Sequence, residues 1–140
     1  MAAAAFFAMI DALVAARGGD IAAISRPLDA VATPGDPASN AYYRFWTLTP
    51  RTAGLTKSEA RLPLAGGPRM IIVNVDTAVR CVARTDAWAR YGRPTSLTPA
   101  SPHAPAGSPN YDVYHRPWGD LRLGINPAGC VTAVVIDAAG

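Results

Sequence analysis

The stretch that most constrains this fold is its last quarter, Tyr111 to Ala138, YDVYHRPWGDLRLGINPAGCVTAVVIDA. Turn chemistry falls at Pro117-Trp118-Gly119 and at Asn126-Pro127-Ala128-Gly129, with apolar or β-branched residues on both sides of each. The pattern predicts three consecutive antiparallel strands. Leu121, Leu123 and Ile125 alternate with Arg122 and Gly124, whereas Val131 to Ile136 is apolar on both faces, which predicts an inner strand. Tyr111 and Tyr114 have opposite strand parity, so at most one of them should face the core.

Upstream, Phe6, Ile10, Leu13 and Val14 fall on one face of a helix that ends at Gly18-Gly19. Asp20 can cap a second, short helix carrying Ile21, Ile24 and Leu28, which Pro27 limits to about two turns. Residues 1–30 are thus expected to form a helical hairpin. A polar, proline-broken loop is expected over 32–40, then strand propensity in YYRFWTLTP with its aromatics Tyr42, Tyr43, Phe45 and Trp46. Two readings compete for 56–64: a strand opening a hairpin over 58–76, or a short helix with Thr56 to Glu59 as its capping box, stopped by Pro63. Thr85 or Asp86 can cap a helix over TDAWARYG with Gly92 at its exit. Residues 93–110 hold five prolines and no periodicity, so a long exposed loop is expected there.

Length and composition fit one globular domain spanning 1–140, with a sheet over 41–138 that carries the short helix and the loop 93–110 as insertions. The fold class expected is α+β: two layers, with the helical hairpin and the short helix packed on a mainly antiparallel sheet that ends in the meander. A net charge of +3 is too small for the dense basic face of a nucleic-acid binder, although Arg80, Arg84, Arg90 and Arg93 form a local cluster. No apolar run is long enough for a transmembrane segment. The N-terminal run lacks a basic region and contains Asp11, so it reads as the first helix of a mature chain. On that reading Met1 is an added start, and an export signal has been removed.

Cys81 and Cys130 are the only cysteines, without CxxC or histidine at ligand spacing, so no zinc site, other metal or cofactor is expected. They are either bridged, which requires an oxidising compartment, or two buried thiols in a cytosolic protein. The nearest catalytic set is Cys130 with His115 or His103 and an acid such as Asp112 or Asp120, which would make a small thiol hydrolase. No GxSxG, P-loop, GxGxxG or HExxH motif is present. A binding role asks for less. Trp118 at a hairpin tip, Tyr111 and Tyr114 on the preceding strand, and Arg93 and Arg116 beside them are the candidate contact residues for a protein or envelope component.

From Thr85 onward the chain resembles the BamE/SmpA-type module of small outer-membrane assembly lipoproteins, a shape shared with the β-lactamase inhibitory protein family. The resemblance rests on the helix exit Tyr91-Gly92-Arg93-Pro94, the tyrosine-bearing strand Tyr111-Asp112-Val113-Tyr114, the Leu121-Arg122-Leu123 strand and the turn into Gly129-Cys130-Val131-Thr132. It covers about residues 85–138. The family's glycine-hydrophobic-threonine step is replaced by Cys81-Val82-Ala83-Arg84, and no lipobox cysteine stands near the N-terminus. The resemblance implies architecture and a periplasmic or secreted location, and neither lipidation nor a role in assembly. The function expected is that of a non-catalytic exported protein that binds another macromolecule, such as an envelope-assembly factor, an inhibitor or an immunity protein. A cytosolic interaction domain with free thiols is the remaining alternative.

Overall fold

The computed structural model describes residues 2–35 and 42–139. Helix α1 (Ala3–Ala16) buries Phe6, Phe7, Met9, Ile10 and Leu13. Cations tie down its exit: Arg69 donates to the carbonyls of Arg17 and Gly19, just past the helix, at 2.9 and 2.7 Å, and Arg17 donates to that of Val14 in the last turn. Asp20 caps α2 (Ile21–Ser25) as its chemistry requires, accepting from the Ala23 amide at 2.9 Å. The two helices do not make a clear hairpin. The second arm has five residues before Pro27 turns it into a single 3-10 turn, Arg26–Leu28, because proline offers no amide to continue the α ladder.

Eight strands follow: β1 (Ala30–Pro34), β2 (Tyr43–Pro50), β3 (Leu55–Pro63), β4 (Arg69–Val75), β5 (Ser96–Thr98), β6 (Asn110–Arg116), β7 (Gly119–Ile125) and β8 (Val131–Ala138). They form one antiparallel sheet in the order β1-β2-β3-β4-β8-β7-β6-β5. Two four-stranded meanders therefore run towards each other and meet at β4 and β8, where Ile71 lies opposite Ile136 and Val73 opposite Val134. The meander β6-β7-β8 and the inner position of β8 match the sequence expectation. So does the hairpin of β3 and β4.

Of residues 56–64, all but Leu64 are strand. Ala60 points into the core while Glu59 and Arg61 do not, and the Ser58 hydroxyl serves a β-bulge instead of a helix cap, donating to the Thr56 carbonyl at 2.8 Å and accepting from the Asn74 amide at 3.0 Å. Two strands were not expected. β1 occupies the start of the loop foreseen over 32–40, whose later residues 36–40 lie outside the described ones, and β5 sits inside the proline-rich stretch 93–110. Both are short edge strands with few buried side chains, so they leave no apolar alternation in the sequence.

Strand parity separates two faces. On one, Leu48, Ala60, Ile71, Tyr114, Leu123 and Ile136 join Phe6, Ile10, Leu13, Ile24 and Leu28 from the helical segments in a single core. Helix α3 (Arg84–Tyr91) packs on this same side, through Ala87 in that core and through Tyr91, whose ring lies between Phe7 of α1 and Tyr114 of β6 at centroid distances of 5.7 and 5.8 Å. Its first turn has no side-chain cap; Thr85 and Asp86 already lie inside the helix, whose N-cap is Ala83. At the exit Gly92 has φ +83°, a conformation that a side chain would strain.

The cysteines are bridged, and Cys130 bears no free thiol. The bridge fastens the approach to α3 onto the start of β8, where the Val131 amide donates to the Val82 carbonyl at 2.8 Å and the Arg84 amide to the Gly129 carbonyl at 2.9 Å. A disulfide is consistent with an oxidising, extracytoplasmic compartment.

Burial, with a hydrogen bond from the Tyr91 hydroxyl to Asp11 at 2.9 Å, pushes the Tyr91 phenol well above its ordinary range, and burial raises Tyr114 too. An unfolded chain releases phenolic protons near pH 10 while these two keep theirs, so the native state binds more protons there. Stability should therefore be intact below about pH 10 and fall as pH rises beyond it. Phenolate absorbance followed alongside near-ultraviolet circular dichroism should show both rings ionising only as tertiary structure is lost.

Candidate functional site

The five residues singled out from sequence do not form one surface. Tyr114 is buried, and its hydroxyl donates to the Gly92 carbonyl at 2.9 Å, which pins β6 to the exit of α3. It offers nothing to a partner, because an eight-stranded sheet covered by helices uses this parity for its core. Arg116 lies over the Tyr114 ring at 5.4 Å. Trp118 is half-buried at the β6-β7 turn on the helix side, folded against the core with the Arg17 guanidinium 5.1 Å from its ring. Arg93 stacks on Trp88 at 4.0 Å. Only Tyr111 faces the other way, as opposite parity to Tyr114 demands.

The hydrolase constellation is not assembled either. Cys130 is consumed in the disulfide. Asp112 is buried on the helix side and accepts two hydrogen bonds from Arg84, at 2.8 and 2.6 Å, and a third from the Trp88 indole at 3.1 Å. That pairing raises the Arg84 guanidinium above its ordinary value. His103 is exposed in the loop. His115 stands on the opposite face with Asp120. Of the cluster Arg80, Arg84, Arg90 and Arg93, then, Arg84 and Arg90 are spent on carboxylates (Asp112 and Asp11) and Arg93 on an aromatic ring.

The face opposite the helices carries a more coherent arrangement. Register places Ile72, Val135, Arg122, Val113 and Ser96 in one row across β4, β8, β7, β6 and β5, and Met70, Asp137, Asp120 and His115 in the next. Together with Tyr111 these residues, Asp137 excepted, line a concavity of about 520 Å³. Its floor is apolar: Val113 and Val135 are 4% and 8% exposed, although neither belongs to the helix-side core. Tyr111 lies low over the sheet because its cross-strand neighbour is Gly124, where a Cβ would come within 3.2 Å of the tyrosine ring.

Polar groups at the rim are fixed by one another. His115 Nδ1 and Asp120 Oδ1 are 2.6 Å apart, and Arg122 bridges Asp120 and Asp137 at 3.2 and 3.0 Å. The hydrogen bond from His115, followed by that from Arg122, holds the Asp120 carboxyl below its usual range. A second hollow of about 260 Å³ adjoins the first through Met70 and is lined by Tyr43, Phe45, Arg61 and Pro68, with the Arg61 guanidinium 5.8 Å from the Phe45 ring.

No family model matches the chain, and neither the curated proteins nor the solved structures contain a match to it. The likeness over residues 85–138 therefore rests on its quoted motifs alone. Among the described residues no group of three or more His, Cys, Asp or Glu side chains is placed to hold a metal ion, and no helix is long and apolar enough to cross a membrane.

Sequence reading missed Ile72, Val135, Arg122 and Asp137 as a surface. The one trace of it in the sequence is that Val131 to Ile136 is apolar at both parities, a pattern that burial inside the sheet explains equally well.

Proposed function

We propose that this is a non-catalytic, exported bacterial protein that binds another macromolecule across the open face of its sheet. The observation that carries this reading is the concavity over Ile72, Val113 and Val135: an apolar floor with an aromatic residue at its edge and polar groups already locked in place. Such a surface loses little side-chain entropy when covered. The disulfide supports export, to the periplasm or beyond. An envelope-assembly factor, an inhibitor or an immunity protein would each use a rigid face of this kind.

The test is a photoreactive phenylalanine analogue at Tyr111, irradiated in a bacterial envelope extract. A discrete cross-linked partner is expected, and it should disappear when Ile72→Arg is added. Because Ile72 is only half-buried, that variant should keep its melting temperature within about 3 °C. Partner capture that survives Ile72→Arg, or cross-linking to the probe at Trp118 and not at Tyr111, would overturn the assignment to this face.

A further inference from the structure

The two outer edges of the sheet are not equivalent. β5 is three residues long and flanked by Pro94 and Pro99, which blunt it. β1 has a proline only at its far end, Pro34. Two hydrogen bonds set its parity: the Arg51 amide donates to the Asp29 carbonyl at 3.0 Å, and the Gly35 amide to the Phe45 carbonyl at 2.8 Å. In an antiparallel ladder such bonded pairs alternate, so Val31 and Thr33 also turn their backbone groups towards β2. The amides and carbonyls of Ala30 and Ala32 then point outwards, and no described residue pairs with them.

Beside this open edge, on the helix side, runs a groove of about 510 Å³. One wall is α2, through Ile21, Ala22 and Ser25; the floor is Ala30, Ala32 and the half-buried Trp46, and the charged Arg26 and Asp29 complete the lining. The two alanines are too small to fill the space between strand and helix. A free row of donors and acceptors next to a trench with an apolar floor has the two elements by which strand addition recognises a peptide: main-chain bonds for affinity and side-chain pockets at every second position.

We propose that the β1 edge receives an extended peptide segment of another protein as a ninth strand, with apolar side chains at alternate positions seated in the groove against Trp46. A second copy of this chain fits less well, since its own β1 would bring only the methyl groups of Ala30 and Ala32 into the trench. This site lies on the helix side and does not rest on the reading of the open face.

The experiment is selection from a phage-displayed library of random heptapeptides on the intact, oxidised protein. Enriched sequences should place apolar residues at alternate positions, and synthetic copies should bind Ala32→Pro about ten-fold more weakly than the parent. That proline removes an amide aimed at solvent, a position where edge strands accept it. Should it impair folding, N-methylation of alternate peptide nitrogens gives the same about ten-fold loss with the protein unchanged. Added peptide should also slow hydrogen exchange at the Ala30 and Ala32 amides. The proposal falls if no sequence is enriched, if the selected peptides bind irrespective of either backbone change, or if amide shifts map to Ile72 and Tyr111 instead. It falls equally if Ala30 and Ala32 become protected with rising protein concentration alone, which would make a second copy the occupant.

Discussion

Replacing Cys81 and Cys130 together by alanine should lower the unfolding free energy by about 4 kcal/mol, the chain-entropy cost of releasing a loop closed over 49 residues. For a domain whose total stability is about 5–15 kcal/mol, that is a large share. The loss should be seen as a lower urea midpoint, and incubation of the unaltered protein with a thiol reductant should reproduce it. Both routes release the same segment, the approach to α3, from the first residues of β8. A double variant as stable as the parent would mean that the hydrogen bonds around Val82 and Gly129 fix this junction without covalent help.

The second large effect is expected at Asp112. Its side chain is 1% exposed and satisfies the Arg84 guanidinium and the Trp88 indole at once, so Asp112→Ala strands three N–H donors on two side chains. Breaking such a pair from one side costs about 3–5 kcal/mol, and the lower end applies because Arg84 keeps 32% of its surface in water. Chemical denaturation measures the loss. Asp112→Asn separates charge from hydrogen bonding: it keeps an acceptor, so it should recover part of the stability. Arg84→Ala should cost less than Asp112→Ala only if the buried carboxylate finds water through the opening left behind. If Asp112→Ala unfolds at the parent's midpoint, the Arg84-Asp112 pair contributes nothing net.

The C-terminal half of this fold was legible because its physics is local. Turn residues at 117–119 and 126–129 and strict alternation through Leu121, Leu123 and Ile125 specify a meander without reference to anything distant. The same holds for α1 and for the Asp20 cap. What stayed hidden depends on neighbours. β1 and β5 are strands only because β2 and β6 offer them a ladder, and α2 stops where Pro27 interrupts it. Trp118 and Tyr114 looked like contact residues because aromatics near a turn suit a surface as well as a core; parity assigned both to the core side. The open-face concavity was beyond reach for a further reason. Its residues come from five strands, and which strands adjoin is decided by the pairing of β4 with β8.

That pairing has a bearing on assembly. Within each meander every strand pairs with its neighbour in sequence, so both halves can take shape early and independently. The β4-β8 seam must join partners that are remote along the chain, with Ile71 finding Ile136, and this ordering penalty is met before any reward. Until it closes, two unfinished sheets each display a bare inner strand rich in valine and isoleucine, the kind of surface that invites the wrong companion.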